Sequence, residues 1–134
     1  MRYLGDEWIT AADSALAEAW QQVADKGDEQ TTIAYSVKDA PGDDGKKKKV
    51  QWTVSFGPDG ASVTAGNPDG DPDATMELDY ETAVSIARGE SSAQVAFMQG
   101  SLKLGGDVTL LIRGADHLGE VADALGSLRD STEF

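Results

Sequence analysis

Between Ala87 and Asp107 the chain reads A-R-G-E-S-S-A-Q-V-A-F-M-Q-G-S-L-K-L-G-G-D, an order of local signals that few folds accommodate. Just upstream, Asp79 suits the N-cap of a helix whose apolar residues Tyr80, Ala83, Val84 and Ala87 recur at i, i+3, i+4 and i+7. Leu78 precedes that cap and can staple against Ala83. Gly89 supplies a left-handed stop. Ser91, with Gln94 three residues on, reads as a capping box for a second, short helix carrying Val95, Phe97 and Met98. Gly100 ends it. Ser101-Leu102-Lys103-Leu104 then alternates with period two, so both leucines share a face. Helix, short helix and strand must fold back tightly, which sets Phe97 and Met98 against the same space as Leu102 and Leu104. Adjacent helical positions differ by about 100°, so only one of the pair points fully inward. Phe97 is the expected inward residue, because Ala93 and Ala96 leave room beside it.

Upstream, the pattern is one helix and then strands. Asp6 to Lys26 places Ile9, Ala12, Leu16, Ala19, Trp20 and Val23 on one stripe, with Gly27 as the stop. Thr31 to Lys38 alternates Ile33, Tyr35 and Val37, and the segment from Asp39 to Gly45 reads as a hairpin tip. Val50, Trp52, Val54 and Phe56 alternate with Gln51, Thr53 and Ser55, the cleanest half-buried strand in the chain. A Gly57-Pro-Asp-Gly60 turn leads to a short strand through Val63, and Asn67 to Asp73 is an acidic loop. Ala74, Met76 and Leu78 make one face of a fourth strand, while Leu102 and Leu104 belong to a fifth. Beyond Asp107 two readings compete: Val108 to Ile112 is strand-like by propensity, yet Asp107 is a usable helix cap. The last segment, Ala115 to Leu128, is an amphipathic helix through Leu118, Val121, Ala122, Leu125 and Leu128.

Composition removes several classes of function. With 134 residues the chain is expected to be a single domain, 1–134, with one core. Acidic residues number 24 against 11 basic, a net charge of -13 that repels phosphate backbones, so no nucleic-acid partner is expected. The absence of cysteine removes disulfides, thiolate catalysis and zinc-thiolate sites. No apolar run approaches the roughly 20 residues of a membrane span, and no signal-peptide pattern opens the chain. A cytoplasmic, soluble protein is the expectation.

The polar candidates each have an ordinary explanation. His117, the single histidine, sits beside Asp116 with no nucleophile nearby in sequence, so a surface helix position is favoured over a general base. Asp69, Asp71 and Asp73 alternate like a calcium loop. An EF-hand needs glycine at its sixth position and glutamate at its twelfth, and those positions hold Ala74 and Tyr80. A solvated turn fits better. Lys46, Lys47, Lys48 and Lys49 form the basic run of the chain. It suits either a transient contact with anionic membrane or protection of a strand edge.

The segment from Ala87 to Asp107 resembles the signature of the sterol carrier protein type 2 family. Gly89, Gln94, Ala96, Phe97, Gly100, Leu102, Lys103, Leu104 and Gly106 stand where the family pattern expects them. Ala93 replaces a common proline and Ser101 a common lysine; neither change removes an apolar residue. In element order the likeness extends over about Ile33 to Leu128. The resemblance implies an α+β fold: a five-stranded, largely antiparallel sheet covered on one face by helices, with an apolar tunnel between. It also favours a short helix after Asp107. The expected lining is Trp52, Val54 and Phe56 from the sheet, Val84, Phe97 and Met98 from the middle helices, and Leu102 and Leu104 from the last strand. Leu111, Ile112, Leu118, Val121 and Leu125 complete it. Periodicity alone would equally make these residues an ordinary filled core. The implied function is a non-catalytic carrier of a small apolar ligand (fatty acid, fatty acyl-CoA, sterol or phospholipid), needing no cofactor and no metal. The alternative is an accessory or interaction subunit with a lipid-metabolising enzyme as partner. The final Ser131-Thr-Glu-Phe134 lacks the peroxisomal Ser-Lys-Leu address.

Overall fold

The alternating segments pair into one sheet. The computed structural model of the protein describes residues 1–134 apart from Asp43, Asp69 and Val108 and the side chains of Leu110 and Leu111. Its strands are β1 (Thr31–Pro41), β2 (Lys47–Gly57), β3 (Gly60–Ala65), β4 (Ala74–Asp79) and β5 (Leu102–Gly106), in the spatial order β3-β2-β1-β4-β5. The helices are α1 (Asp6–Trp20), α2 (Tyr80–Ala87), α3 (Ala93–Met98), α4 (Leu110–Arg113) and α5 (Ala115–Gly126), with a 3-10 turn at Arg129–Ser131. All strand pairs are antiparallel except β1 with β4, so the sheet is mixed but mostly antiparallel and the class is α+β.

Register turns alternation into a buried face. Trp52 lies opposite Tyr35, Tyr35 opposite Met76 and Met76 opposite Leu104. Val50, Val37, Leu78 and Leu102 form the next such row, and Val63, Val54, Ile33 and Ala74 the one on the other side. Ile33, Val37, Val54 and Ala74 are fully buried. Polar residues of opposite parity, including Ser36, Lys38, Lys49, Gln51, Glu77 and Lys103, take the other face. β1 runs past Lys38 to Pro41, because a bulge between Val37 and Ala40 absorbs the mismatch and holds Asp39 at φ 62°.

α1 ends at Trp20 rather than continuing to Lys26. The Trp20 indole N–H donates to the Gly57 carbonyl at 3.0 Å, tying the helix end to β2. Gly27, at φ +79°, belongs to the following loop. The buried stripe is Trp8, Ala12, Leu16 and Trp20, while Ile9, Ala19 and Val23 are partly buried beside it. α1 lies along β3, and the Asp13 carboxylate accepts from the Val63 N–H at 2.9 Å, satisfying an edge amide that would otherwise invite strand pairing.

The turns around α2 and α3 match the backbone signals closely. Asp79 caps α2 by accepting from the Thr82 N–H at 2.8 Å. Gly89 and Glu90 close the helix by donating to Ile86 and Ser85 carbonyls, with Gly89 at φ +78°. Gly100 and Ser101 close α3 in the same way onto Phe97 and Ala96, with Gly100 at φ +80°. The cap of α3 is Ser92, accepting from the Val95 N–H at 3.2 Å, not Ser91. After Asp107 the chain is helical from Leu110; Val108 lies outside the described residues. α5 ends at Gly126, short of Leu128, and Ala122 is exposed on it.

Candidate functional site

The buried face of the sheet holds most of the expected lining. Trp52, Val54 and Phe56 of β2, Leu102 of β5, and Leu118 and Val121 of α5 are buried. Val84, Leu104 and Leu125 are partly buried against them. Three expectations need correction: Phe97 is 43% exposed, Met98 84% and Ile112 81%. α3 turns Ala96 inward, where a methyl group allows close approach to β5. Phe97, about 100° further round, is left half outside, and Met98 falls on the solvent side. The side chain of Leu111 lies outside the described residues.

At the centre of this face is a run of aromatic rings. Tyr35 stacks on Trp52 with centroids 4.9 Å apart and planes 5° from parallel. Trp8 meets the other side of the cluster edge-on at 6.3 Å, Tyr3 meets Trp8 at 5.0 Å, and Phe134 meets Tyr3 at 5.2 Å. The Tyr3 hydroxyl donates to the Ala83 carbonyl at 3.3 Å. Burial pushes the Tyr3 phenol upward, and burial pushes that of Tyr35 up to about 12. Both stay neutral at physiological pH. The Trp52 indole N–H is buried and, among the described residues, has no hydrogen-bond acceptor. Such an orphaned donor costs about 1–3 kcal/mol. Thr53, the buried polar residue among those described, donates to the Gly66 carbonyl at 2.8 Å and lies on the opposite face.

Trp8 and Tyr35 are each legible in the sequence as residues of an apolar face. Trp8, Ala12, Leu16 and Trp20 recur every four residues, and Tyr35 shares the parity of Ile33 and Val37. What was not legible is their convergence, which depends on the register of β1 with β2 and on where α1 lies.

Among the polar candidates, His117 and Asp73 take structural roles. His117 is half-buried rather than solvent-facing, with its Nε2 2.7 Å from the Asp25 carbonyl. Its ring meets Trp20 edge-on at 5.2 Å and Phe56 at 5.9 Å, so it docks α5 against the loop after α1. The Asp73 carboxylate accepts from the Thr32 N–H at 2.8 Å, joining β4 to β1, and Asp69 lies outside the described residues. Among the described residues, no group of three His, Cys, Asp or Glu is placed to hold a metal, and no helix is long and apolar enough to cross a membrane. Lys47 to Val50 extend beyond the end of β3, whose last partner on β2 is Trp52, so among the described residues no strand pairs with the outer edge of this stretch. The lysines there suit edge protection.

Two open depressions flank the core. One, of about 310 Å³, lies where Ser36, Lys38 and Lys49 meet Glu77, Asp79 and Lys103, with Leu78, Gly100 and Ser101. The other, of about 350 Å³, is bordered by α2 through Tyr80, Glu81, Val84, Ser85 and Arg88, with Glu90 and Phe134. The Arg88 guanidinium lies 5.1 Å from the Phe134 ring centroid.

Known structures share this arrangement. The solution structure of a conserved hypothetical protein from Thermus thermophilus, suggested to be a sterol carrier protein, is 22% identical with a TM-score of 0.68, covering 96% of this chain and 90% of that one. A crystal structure of sterol carrier protein 2 is 22% identical with a TM-score of 0.60, over 96% and 95%. The solution structure of palmitated SCP2L2 from Aedes aegypti is 23% identical with a TM-score of 0.56, over 87% and 93%. At these identities the likeness concerns the fold. No curated protein matches the chain. The model of the SCP-2 sterol transfer family matches residues 9–116, from within α1 to the first turn of α5, and therefore takes in the whole sheet and the short helices beside it. The chain belongs to the SCP-2 sterol transfer family.

Proposed function

We propose that this protein is a non-catalytic lipid carrier, acting as one unit over residues 1–134, that takes up a fatty acid or fatty acyl-CoA between the sheet and the helices. The observation that carries this reading is the apolar face of β2, β1, β4 and β5, whose orphaned polar group is the Trp52 N–H. An acyl chain suits that surface, and an acceptor oxygen on the ligand would satisfy the indole. Trp52, Val54, Phe56, Val84, Leu102, Leu104, Leu118, Val121 and Leu125 form the lining in this proposal. Family membership and the palmitated relative of the same fold support it.

The energetics suit reversible carriage. Taking a sixteen-carbon chain out of water gains about 13 kcal/mol at about 0.8 per methylene. Association and ordering costs return much of that. Against a membrane, where the chain is already buried, the net preference is small, so loading and unloading both proceed. Lys46, Lys47, Lys48 and Lys49 contribute contact with the anionic surface from which cargo is drawn.

The test is calorimetric titration with palmitate, followed in parallel by tryptophan emission, for wild type and Trp52→Phe. Micromolar or tighter binding is expected for the wild type, weakened in the variant by loss of the indole donor. Absence of heat and of any emission change in the wild type would falsify the carrier reading.

A further inference from the structure

The aromatic run that ends at Trp52 begins at the protein surface. Beside α2, the 350 Å³ depression is bordered by Tyr80 and Phe134, and also by Val84 of the proposed lining. Tyr3 stands behind these two rings, 6.0 Å from Tyr80 and 5.2 Å from Phe134. Trp8 follows at 5.0 Å from Tyr3, and Trp52, with its orphaned indole N–H, at 6.3 Å from Trp8. An acyl chain entering from this depression therefore meets Tyr3, which is 8% exposed, before it meets Trp52. At the β3 edge, by contrast, α1 closes the core with Trp20 bonded to Gly57 and Asp13 to Val63.

Ring contacts and a short backbone bridge, rather than sheet pairing, hold Tyr3 in place. Arg2 and Glu133 form an isolated parallel bridge. In it the Tyr3 N–H donates to the Glu133 carbonyl at 3.0 Å, and the Glu133 N–H to the Met1 carbonyl at 2.7 Å. Arg2 adds a bond to the Pro41 carbonyl at 3.1 Å. The Tyr3 hydroxyl lies 3.3 Å from the Ala83 carbonyl, long for an O–H donor. Phe134 has the half-exposed Arg88 guanidinium 5.1 Å from its ring centroid. Leu4, next to Tyr3, is held at φ 64°, a left-handed conformation that an L-residue with a large side chain adopts only at a cost. Such strain persists only where the surrounding contacts enforce it, and it recurs at clamps and switch segments.

We propose that Arg2–Leu4 and Glu133–Phe134 form a clasp over the cargo site. The bridge makes the two segments one unit, which swings Tyr3 and Phe134 off α2 and admits cargo past Trp8 toward Trp52. Opening breaks the bridge and the ring contacts and relieves Leu4, while the five-stranded sheet stays intact. The inference rests on the carrier reading and adds to it the entry and the moving part.

The chain has no cysteine, so Arg2→Cys/Glu133→Cys introduces a single disulfide, and directly paired residues suit its short span. Oxidised and reduced forms of this variant are compared, first without cargo, by hydrogen exchange of the indole N–H groups. In the reduced form Trp52 exchanges about tenfold or more faster than Trp20, because clasp opening exposes the former alone. Oxidation closes that gap. With palmitate, association followed by tryptophan emission slows about tenfold or more on oxidation and recovers on reduction. Phe134→Ala, which removes one ring of the clasp and leaves the lining, speeds both exchange at Trp52 and association. The absence of a gap in the reduced form, or a gap that oxidation leaves unchanged, overturns the clasp. So do palmitate rates that are equal in the two forms, and the carrier reading then stands without this entry. Absence of palmitate binding in every form, wild type included, removes the carrier and its entry together.

Discussion

The part of the protein built from α1 and the β1-β2-β3 meander differs sharply from the segment running from α3 to α4. In the first, rings interlock: Trp20 is 1% exposed, donates to Gly57 and packs against Phe56 and His117. Trp52 sits between Tyr35 and Trp8 in the same body. In the second, α3 buries Ala96 alone, and the turn into α4 is held by surface polar groups. There the Asp107 carboxylate accepts from the Thr109 N–H at 3.1 Å and from its hydroxyl at 2.5 Å, and also pairs with Arg113. These contacts, the Thr109 hydroxyl first, hold the Asp107 carboxyl below its ordinary value. The segment that marks the family is the thin one. It is conspicuous because glycines and caps leave strong local signals. The body's stability lies in periodic hydrophobes of a kind common to many domains.

The contrast breaks most visibly in the aromatic body. Trp20→Ala removes a fully buried ring and an indole hydrogen bond, and should cost about 3–5 kcal/mol. Urea denaturation monitored by circular dichroism measures this, and a loss below about 1 kcal/mol would mean that α1 is not anchored as described.

Between the two regions stands the Asp79 cap of α2. Asp79→Ala should cost about 1 kcal/mol at neutral pH, and Asp79→Asn much less, because the amide oxygen still accepts from the Thr82 N–H. Hydrogen bonding from Thr82, its side chain first and its backbone second, holds the Asp79 carboxyl below the ordinary 3.8. A lowered folded value means that the unfolded state binds the proton more readily. The contribution is therefore fully present above about pH 4 and lost as pH falls through the depressed folded value. Wild type and Asp79→Ala should converge in stability at low pH. A constant difference down to about pH 2 would remove the carboxylate from this role.

The smallest effects belong to α3. Phe97→Ala should cost less than about 1 kcal/mol, although the same truncation of a fully buried phenylalanine such as Phe56 costs about 3–5. Met98→Ala should stay within about 0.5 kcal/mol of wild type. Measured side by side, Phe97→Ala and Phe56→Ala sharpen the comparison. Equal losses would place Phe97 inside the core and erase the difference between the regions.

Much of the sheet was legible because period two in β2 and β4 is a local property of the chain, and Ala74, Met76 and Leu78 are indeed the buried face of β4. The Asp79 cap and the Gly89 and Gly100 stops were legible because each depends on residues within one turn. The errors have a common origin. Helical periodicity continues past Trp20, but the amides of Gln22 and Val23 bond three residues back, to Ala19 and Trp20, and α1 ends there. His117 looked like a surface residue because its partner Asp25 is 92 positions away. Phe97 reads as inward from the helix alone, whereas the side of α3 that packs is the side of Ala96.

The sequence by itself determined the local elements, since caps, left-handed glycines and the two- or four-residue recurrence of apolar side chains act through interactions only a few residues apart. Only the tertiary structure decided that β4 runs parallel beside β1 and that Tyr35, Trp52 and Trp8 converge. It alone turned Ala96 inward and Phe97 and Met98 outward. Helical pitch sets only the angle between neighbouring side chains; which of them is buried depends on what packs against the helix, and here that is β5.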